Sequence, residues 1–100
     1  MNNIRIHIKP KILIMSISVH RNISNPGEFW ASAQKGLPEL PVAGVQWIIN
    51  VFPSTDMSEV TCIWEADSIE TLDKYLRSKV FDWSKETYFQ INAANAMGLP

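Results

Sequence analysis

The chain has 100 residues, 46% of them hydrophobic, and a formal net charge of −1. A chain of this length makes one domain and buries only about 65% of the surface its unfolded form exposes, so contact with a second copy would add useful burial. The composition excludes a disordered segment and an electrostatic binder of nucleic acid, and the lone Cys62 excludes an intrachain disulfide and a cysteine-based zinc site and fits a reducing compartment.

Near the start, Ile4, Ile6 and Ile8 alternate with Arg5, His7 and Lys9 and stop at Pro10, which predicts an extra edge strand. The apolar run Ile12 to Val19 follows Arg5, Lys9 and Lys11 and imitates a signal peptide. It is too short to span a bilayer and no small-x-small cleavage site follows, so it is read as a buried strand of a cytoplasmic protein without membrane contact. Met15 can also serve as a start, which makes residues 1–14 an N-terminal extension of a domain covering residues 15–100.

From Lys11 to Asn22 the odd positions Leu13, Met15, Ile17 and Val19 are apolar, and Ser16, Ser18 and His20 fall between them. One face of this strand belongs to the core and the other is mixed. Asn25-Pro26-Gly27-Glu28 then has the form of a capping box with proline at the first helical position. The helix it opens repeats Phe29, Ala33 and Leu37 every four residues and ends at Gly36, Pro38 and Pro41.

Val45 to Phe52 and Glu59 to Ala66 are rich in β-branched and aromatic residues, and Pro53-Ser54-Thr55-Asp56 between them predicts a hairpin. Asp67-Ser68-Ile69-Glu70 repeats the capping-box pattern. In the helix that follows, Ile69, Leu72, Leu76 and Val80 form one apolar stripe. Phe81 to Glu86 reads as a loop and Thr87 to Asn92 as the last strand, with Phe89 and Ile91 facing the helices. The tail Ala93 to Pro100 has no charged side chain and is expected to pack against the domain.

The order is therefore β-α-β-β-α-β in an α+β chain. Right-handed crossovers place both helices on one face of an antiparallel sheet of order 4-1-3-2, the ferredoxin-like plait. The bare sheet face is expected to present Ser16, Ser18 and His20, then Tyr88, Gln90 and Asn92, with Gln46, Ile48, Asn50, Thr61, Ile63 and Glu65 from the other strands. Trp47 and Trp64 fall on the helix side by the same parity, unless a bulge reverses it. Two such sheets closing face to face would enclose a semi-polar cavity suited to a small organic ligand, lined by Ser18, Thr61, Ile48 and Gln90.

Antiparallel pairing puts His20 near Thr61, Asn50 and Tyr88 and keeps it from Glu65, which excludes a His20–Glu65 dyad within one chain. His20 is then the candidate general base, with Tyr88 or Asn50 orienting a substrate or polarising a carbonyl. No HxH or HxxxH spacing accompanies His7 and His20, so no metal site is expected. No glycine-rich phosphate loop occurs among the four glycines, and no cofactor is expected. Phe29, Trp30, Phe81 and Trp83 read as core or interface anchors rather than a stacking platform for RNA.

The run Cys62-Ile63-Trp64-Glu65-Ala66-Asp67-Ser68-Ile69-Glu70, with Asn95-Ala96-Met97-Gly98-Leu99-Pro100 after the last strand, resembles small uncharacterised bacterial proteins of the dimeric α/β-barrel superfamily over about Met15 to Pro100. The resemblance implies a homodimer formed sheet to sheet, in a superfamily that includes cofactor-independent monooxygenases, lactone isomerases, dye-decolourising and haem-degrading enzymes and a nickel-binding group. Those relatives use His, Tyr, Asn or Trp from the barrel interior. The additional histidines of the nickel-binding group are missing here, and no catalytic set carries over residue by residue. Three functions follow: a homodimer binding a small organic ligand, a cofactor-independent monooxygenase or isomerase with His20 as base, and an interaction protein whose open face is filled by partner side chains.

Overall fold

The computed structural model describes residues 14–80 and 82–99. The expected strand over Ile4 to Lys9, with Leu13, Phe81 and Pro100, lies outside the described residues. Strand β1 (Met15–Ile23) leads into helix α1 (Pro26–Gly36), which runs on as one 3-10 turn, Leu37–Glu39. Strands β2 (Val45–Pro53) and β3 (Glu59–Ala66) form the hairpin, followed by helix α2 (Ile69–Val80) and strand β4 (Ser84–Gln90). All pairings are antiparallel and the sheet order is β2-β3-β1-β4, which reads 4-1-3-2 from the β4 edge. The architecture is α+β, with both helices packed into one apolar layer on the same sheet face, and is compatible with a ferredoxin-like plait.

The two helix starts are built differently. At α1 the Asn25 Oδ1 accepts from the Glu28 amide at 3.3 Å and Pro26 occupies the first helical position. At α2 the cap is Ser68, not the expected Asp67: Ser68 Oγ accepts from the Thr71 amide at 3.0 Å and its carbonyl accepts from Leu72 at 3.1 Å. Asp67 is held one residue earlier, its amide donating to Gly44 O at 2.9 Å. That places its carboxylate beside the loop that enters β2.

The layer beneath the helices contains Ile17, Val19 and Ile23 from β1, Val60, Cys62, Trp64 and Ala66 from β3, Phe29 from α1 and Leu72, Leu76 and Val80 from α2. Their alternation on β1 and β3 follows the period-two pattern of the sequence. Strand β4 begins three residues earlier than expected and takes the opposite parity. Val19 faces Tyr88 and Ile17 faces Gln90 across the ladder, so Tyr88 and Gln90 lie on the helix side and Phe89 on the open side. Strand β2 carries register shifts between Val45 and Trp47 and between Ile48 and Asn50. The first turns Trp47 outward, where it is 53% exposed, and Ile48 to the helix side, and the second returns Asn50 to the open side. The tail also differs from expectation: Met97 is 97% exposed.

Candidate functional sites on the two faces of the sheet

The register arranges the open face in rows. Phe52, Thr61, His20 and Thr87 form one row, and Asn50, Ile63, Ser18 and Phe89 form the next. Trp47, Glu65 and Ser16 lie beyond the second row, and Glu59, Asn22 and Lys85 lie beyond the first. Glu65 and His20 are thus two rows apart. Phe52 at 62%, Phe89 at 60% and Trp47 at 53% exposure frame the polar centre with aromatic surface, while Ser18 is buried between its neighbours Ile63 and Phe89.

His20 is the centre of a hydrogen-bonded chain. Its Nδ1 lies 2.9 Å from Thr61 Oγ1 and its Nε2 lies 3.1 Å from Glu59 Oε1. The carboxylate can only accept, so a neutral ring donates from Nε2 to Glu59 and leaves Nδ1 to accept from the Thr61 hydroxyl. Of the expected partners, Thr61 touches His20 and Asn50 shares its face one row away. Tyr88 does not. The Tyr88 hydroxyl donates to Asp73 Oδ1 on α2 at 2.6 Å, on the far side of the sheet, so the expected His20, Tyr88 and Asn50 constellation is not formed within one chain. The expected ligand-lining set divides likewise, with Ser18 and Thr61 on the open face and Ile48 and Gln90 on the other.

The helix side holds a partly open cavity of about 290 Å3. Well-packed interiors leave few voids larger than a water molecule, so this space has a structural cause. Phe29 is the one large α1 side chain that is fully buried, and Trp30 and Ala33 are only half buried. Helix α1 is thus anchored by Phe29, and space remains between its Trp30 and Ala33 and the sheet residues Ile48, Cys62 and Trp64. Leu37, Val51 and Met57, each more than a third exposed, surround its mouth.

Arg21 is part of the lining of this cavity. It occupies a core-facing position of β1 between Val19 and Ile23, is 4% exposed, and has its guanidinium carbon 5.1 Å from the centre of the Phe29 ring. The Arg21 Nε lies 3.7 Å from Glu86 Oε2, close enough to balance charge but beyond hydrogen-bond length. Glu86 in turn accepts from the Ser84 hydroxyl. Arg21 Nε and Nη2 and Trp64 Nε1 are buried without hydrogen-bond partners. Arg21 is absent from the site residues expected from the sequence, where its one signal is a charge in the apolar register of a buried strand.

Burial lowers the Arg21 pKa and nearby Glu86 opposes that change. The Cys62 thiol is pushed up by burial, an effect reduced by the Arg21 charge and by the adjacent Trp64 indole. Burial and the bond to Asp73 push the Tyr88 phenol well above its ordinary value. Burial works to raise the Asp73 carboxyl as well, but the Tyr88 hydroxyl, Arg77 at 3.0 Å and the more distant Arg21 outweigh it and hold the carboxyl below its usual value.

Among the described residues no cluster of three or more His, Cys, Asp or Glu side chains could hold a metal ion, and no helix is long and apolar enough to cross a membrane. No family model, curated protein or solved structure matches the chain.

Proposed function

We propose that this chain is a homodimeric binding protein for a small organic molecule, two copies pairing through their open sheet faces to form a dimeric α/β barrel around the His20 row. The observation that carries the proposal is the exposure of Trp47, Phe52 and Phe89 on one sheet face around the polar residues Ser18, His20 and Thr61. Four strands at about 4.8 Å spacing and seven or eight residues at about 3.3 Å rise give a face of roughly 20 by 25 Å. With its side chains protruding, a face of that size approaches the area each partner contributes to a standard interface. A two-fold axis makes the patch its own partner, and the paired polar centres leave a small semi-polar space.

Sedimentation at micromolar concentration should give a dimer, and Phe89→Asp should give a folded monomer. A monomeric parent protein would overturn the proposal. In a thermal-shift screen against aromatic acids, haem and metal ions, a ligand at 100 times its dissociation constant adds about 2.7 kcal/mol of stability. That gain should disappear in Phe89→Asp if the ligand occupies the space between the sheets.

The Glu59–His20–Thr61 chain favours a second reading, a cofactor-independent enzyme with His20 as general base. Glu59 orients the ring, and Nδ1 is directed at a hydroxyl, the arrangement by which a base activates an oxygen nucleophile. Heteronuclear NMR should then find His20 as the Nε2–H tautomer, with Glu59→Gln weakening that preference. A dominant Nδ1–H tautomer would remove the base from Thr61 and end this reading.

A further inference from the structure

We propose that the helix-side cavity is a second ligand site, which takes a neutral, largely apolar molecule carrying a carbonyl oxygen, and that Arg21 and Trp64 recognise that oxygen. The cavity wall sets the ligand class. Its lining is apolar over most of its surface, with Phe29, Leu76, Val80 and Ile48 among the contributors. Two of the lining residues, Arg21 and Trp64, carry buried polar atoms without a hydrogen-bond partner, Arg21 Nε and Nη2 and Trp64 Nε1. All three are donors. The fourth such atom among the described residues, Asp67 Oδ1, lies outside the cavity lining.

A buried donor left unmade destabilises the protein, and an occupant that brings lone pairs relieves the defect. Arg21 Nε–H and one Nη2–H lie along the same edge of the planar guanidinium, so a single acceptor group can engage both. The Trp64 indole has the Cys62 thiol beside it, a weak acceptor that leaves the N–H open to a better one.

Charge decides between a carbonyl and a carboxylate. Glu86 already stands 3.7 Å from Arg21 Nε, and Asp73 adds a more distant negative field. A carboxylate at the Arg21 edge would bring a further buried anion beside Glu86, which disfavours it. A ketone, ester or amide oxygen supplies the lone pairs without the charge. The size is consistent as well: about 290 Å3 is roughly twice the ~150 Å3 engineered cavity that binds benzene, which points to a bicyclic aromatic body. The site lies within one chain, on the opposite sheet face from His20. It therefore does not depend on the pairing proposed above.

Methyl naphthyl ketone, ethylnaphthalene and naphthoate share one body and differ only at the test group, so NMR titration of the full chain with each separates the terms. The ketone should bind about tenfold more tightly than the hydrocarbon, move the Trp64 indole N–H resonance, and bind more tightly than the carboxylate. Ala33→Phe, which adds a ring to the cavity lining from α1 and leaves Arg21 and Trp64 in place, should abolish ketone binding. Arg21→Met/Glu86→Gln, which removes the charge pair together, should bring ketone and hydrocarbon to equal affinity. Phe89→Asp should bind the ketone as the parent does, whether or not the parent dimerises. Ketone affinity no greater than that of the hydrocarbon, tighter binding of naphthoate, unchanged binding in Ala33→Phe, or binding of none of the three probes would overturn the proposal.

Discussion

At the scale of single residues, the Tyr88–Asp73 bond has the clearest consequence. Tyr88 reaches from β4 to α2 and is the half-buried donor that holds the Asp73 carboxyl. Both tyrosines of the sequence, Tyr75 and Tyr88, are raised above the ordinary phenol value of 10.0, each chiefly by burial. The folded state therefore keeps protons that the unfolded chain releases above 10.0, so stability falls as pH rises past that value. Ultraviolet titration should show no phenolate forming near 10.0 in the native protein, and both tyrosines ionising there in denaturant. Native ionisation of either at its ordinary value would contradict the burial described. Asp73 works in the opposite range. Its contribution is complete above 3.8 and is lost as pH falls through its lower folded value. Tyr88→Phe should cost about 1 kcal/mol in denaturant unfolding and raise the pH of acid unfolding.

At the scale of elements, the loop that enters β2 and the start of α2 are fitted to each other at Gly44. This glycine has φ +82, and a Cβ there would stand 2.5 Å from Thr71 Cγ2 and 3.0 Å from Asp67 Oδ2. Gly44→Ala should lower stability by at least about 1 kcal/mol, with partial recovery on adding Thr71→Ser, which deletes the offending methyl. Gly27 is the contrast. It lies in the first turn of α1 with its nearest neighbour at 3.9 Å, so Gly27→Ala should be neutral or stabilising by about 0.4–1 kcal/mol. Ser68→Ala should cost about 1 kcal/mol as the loss of a cap. Equal stability of the two alanine variants at Gly27 and Gly44 would show that the loop relaxes.

These elements also show what the sequence could disclose. The α2 stripe, the proline start of α1 and the alternation of β1 and β3 were legible because each is a local repeat with one buried face. The cap of α2 was ambiguous because Asp67 and Ser68 are both good caps, and only the bond of the Asp67 amide to Gly44 decides between them. Parity on β4 was misread because Phe89 is more apolar than Tyr88, while the fold buries Tyr88 through its hydroxyl bond to α2 and leaves Phe89 out. On β2 two register shifts break the period, and nothing within the strand marks them. The position of His20 beside Thr61 followed from antiparallel pairing alone. The space between α1 and the sheet is a packing outcome, and no local pattern encodes it.

At the scale of the whole molecule, two groups of exposed apolar side chains among the described residues have different consequences. Leu37, Val51 and Met57 border the cavity mouth, where a small guest can cover them. Trp47, Phe52 and Phe89 are spread over a sheet face that no small ligand can cover, and a chain of this size gains most from covering it with a second copy. If pairing and folding are linked, unfolding of the pair releases two chains and the melting temperature depends on concentration. With an unfolding enthalpy of about 60–80 kcal/mol per chain, each tenfold rise in concentration should raise Tm by about 3 °C. Calorimetry over a range from low to high micromolar measures this directly. Phe89→Asp should melt at one temperature throughout, because the charge sits on surface that is exposed in the single copy and disrupts only the pair. A parent protein whose Tm is independent of concentration would place its entire stability within one copy, and the open face would then have to be explained without a second chain.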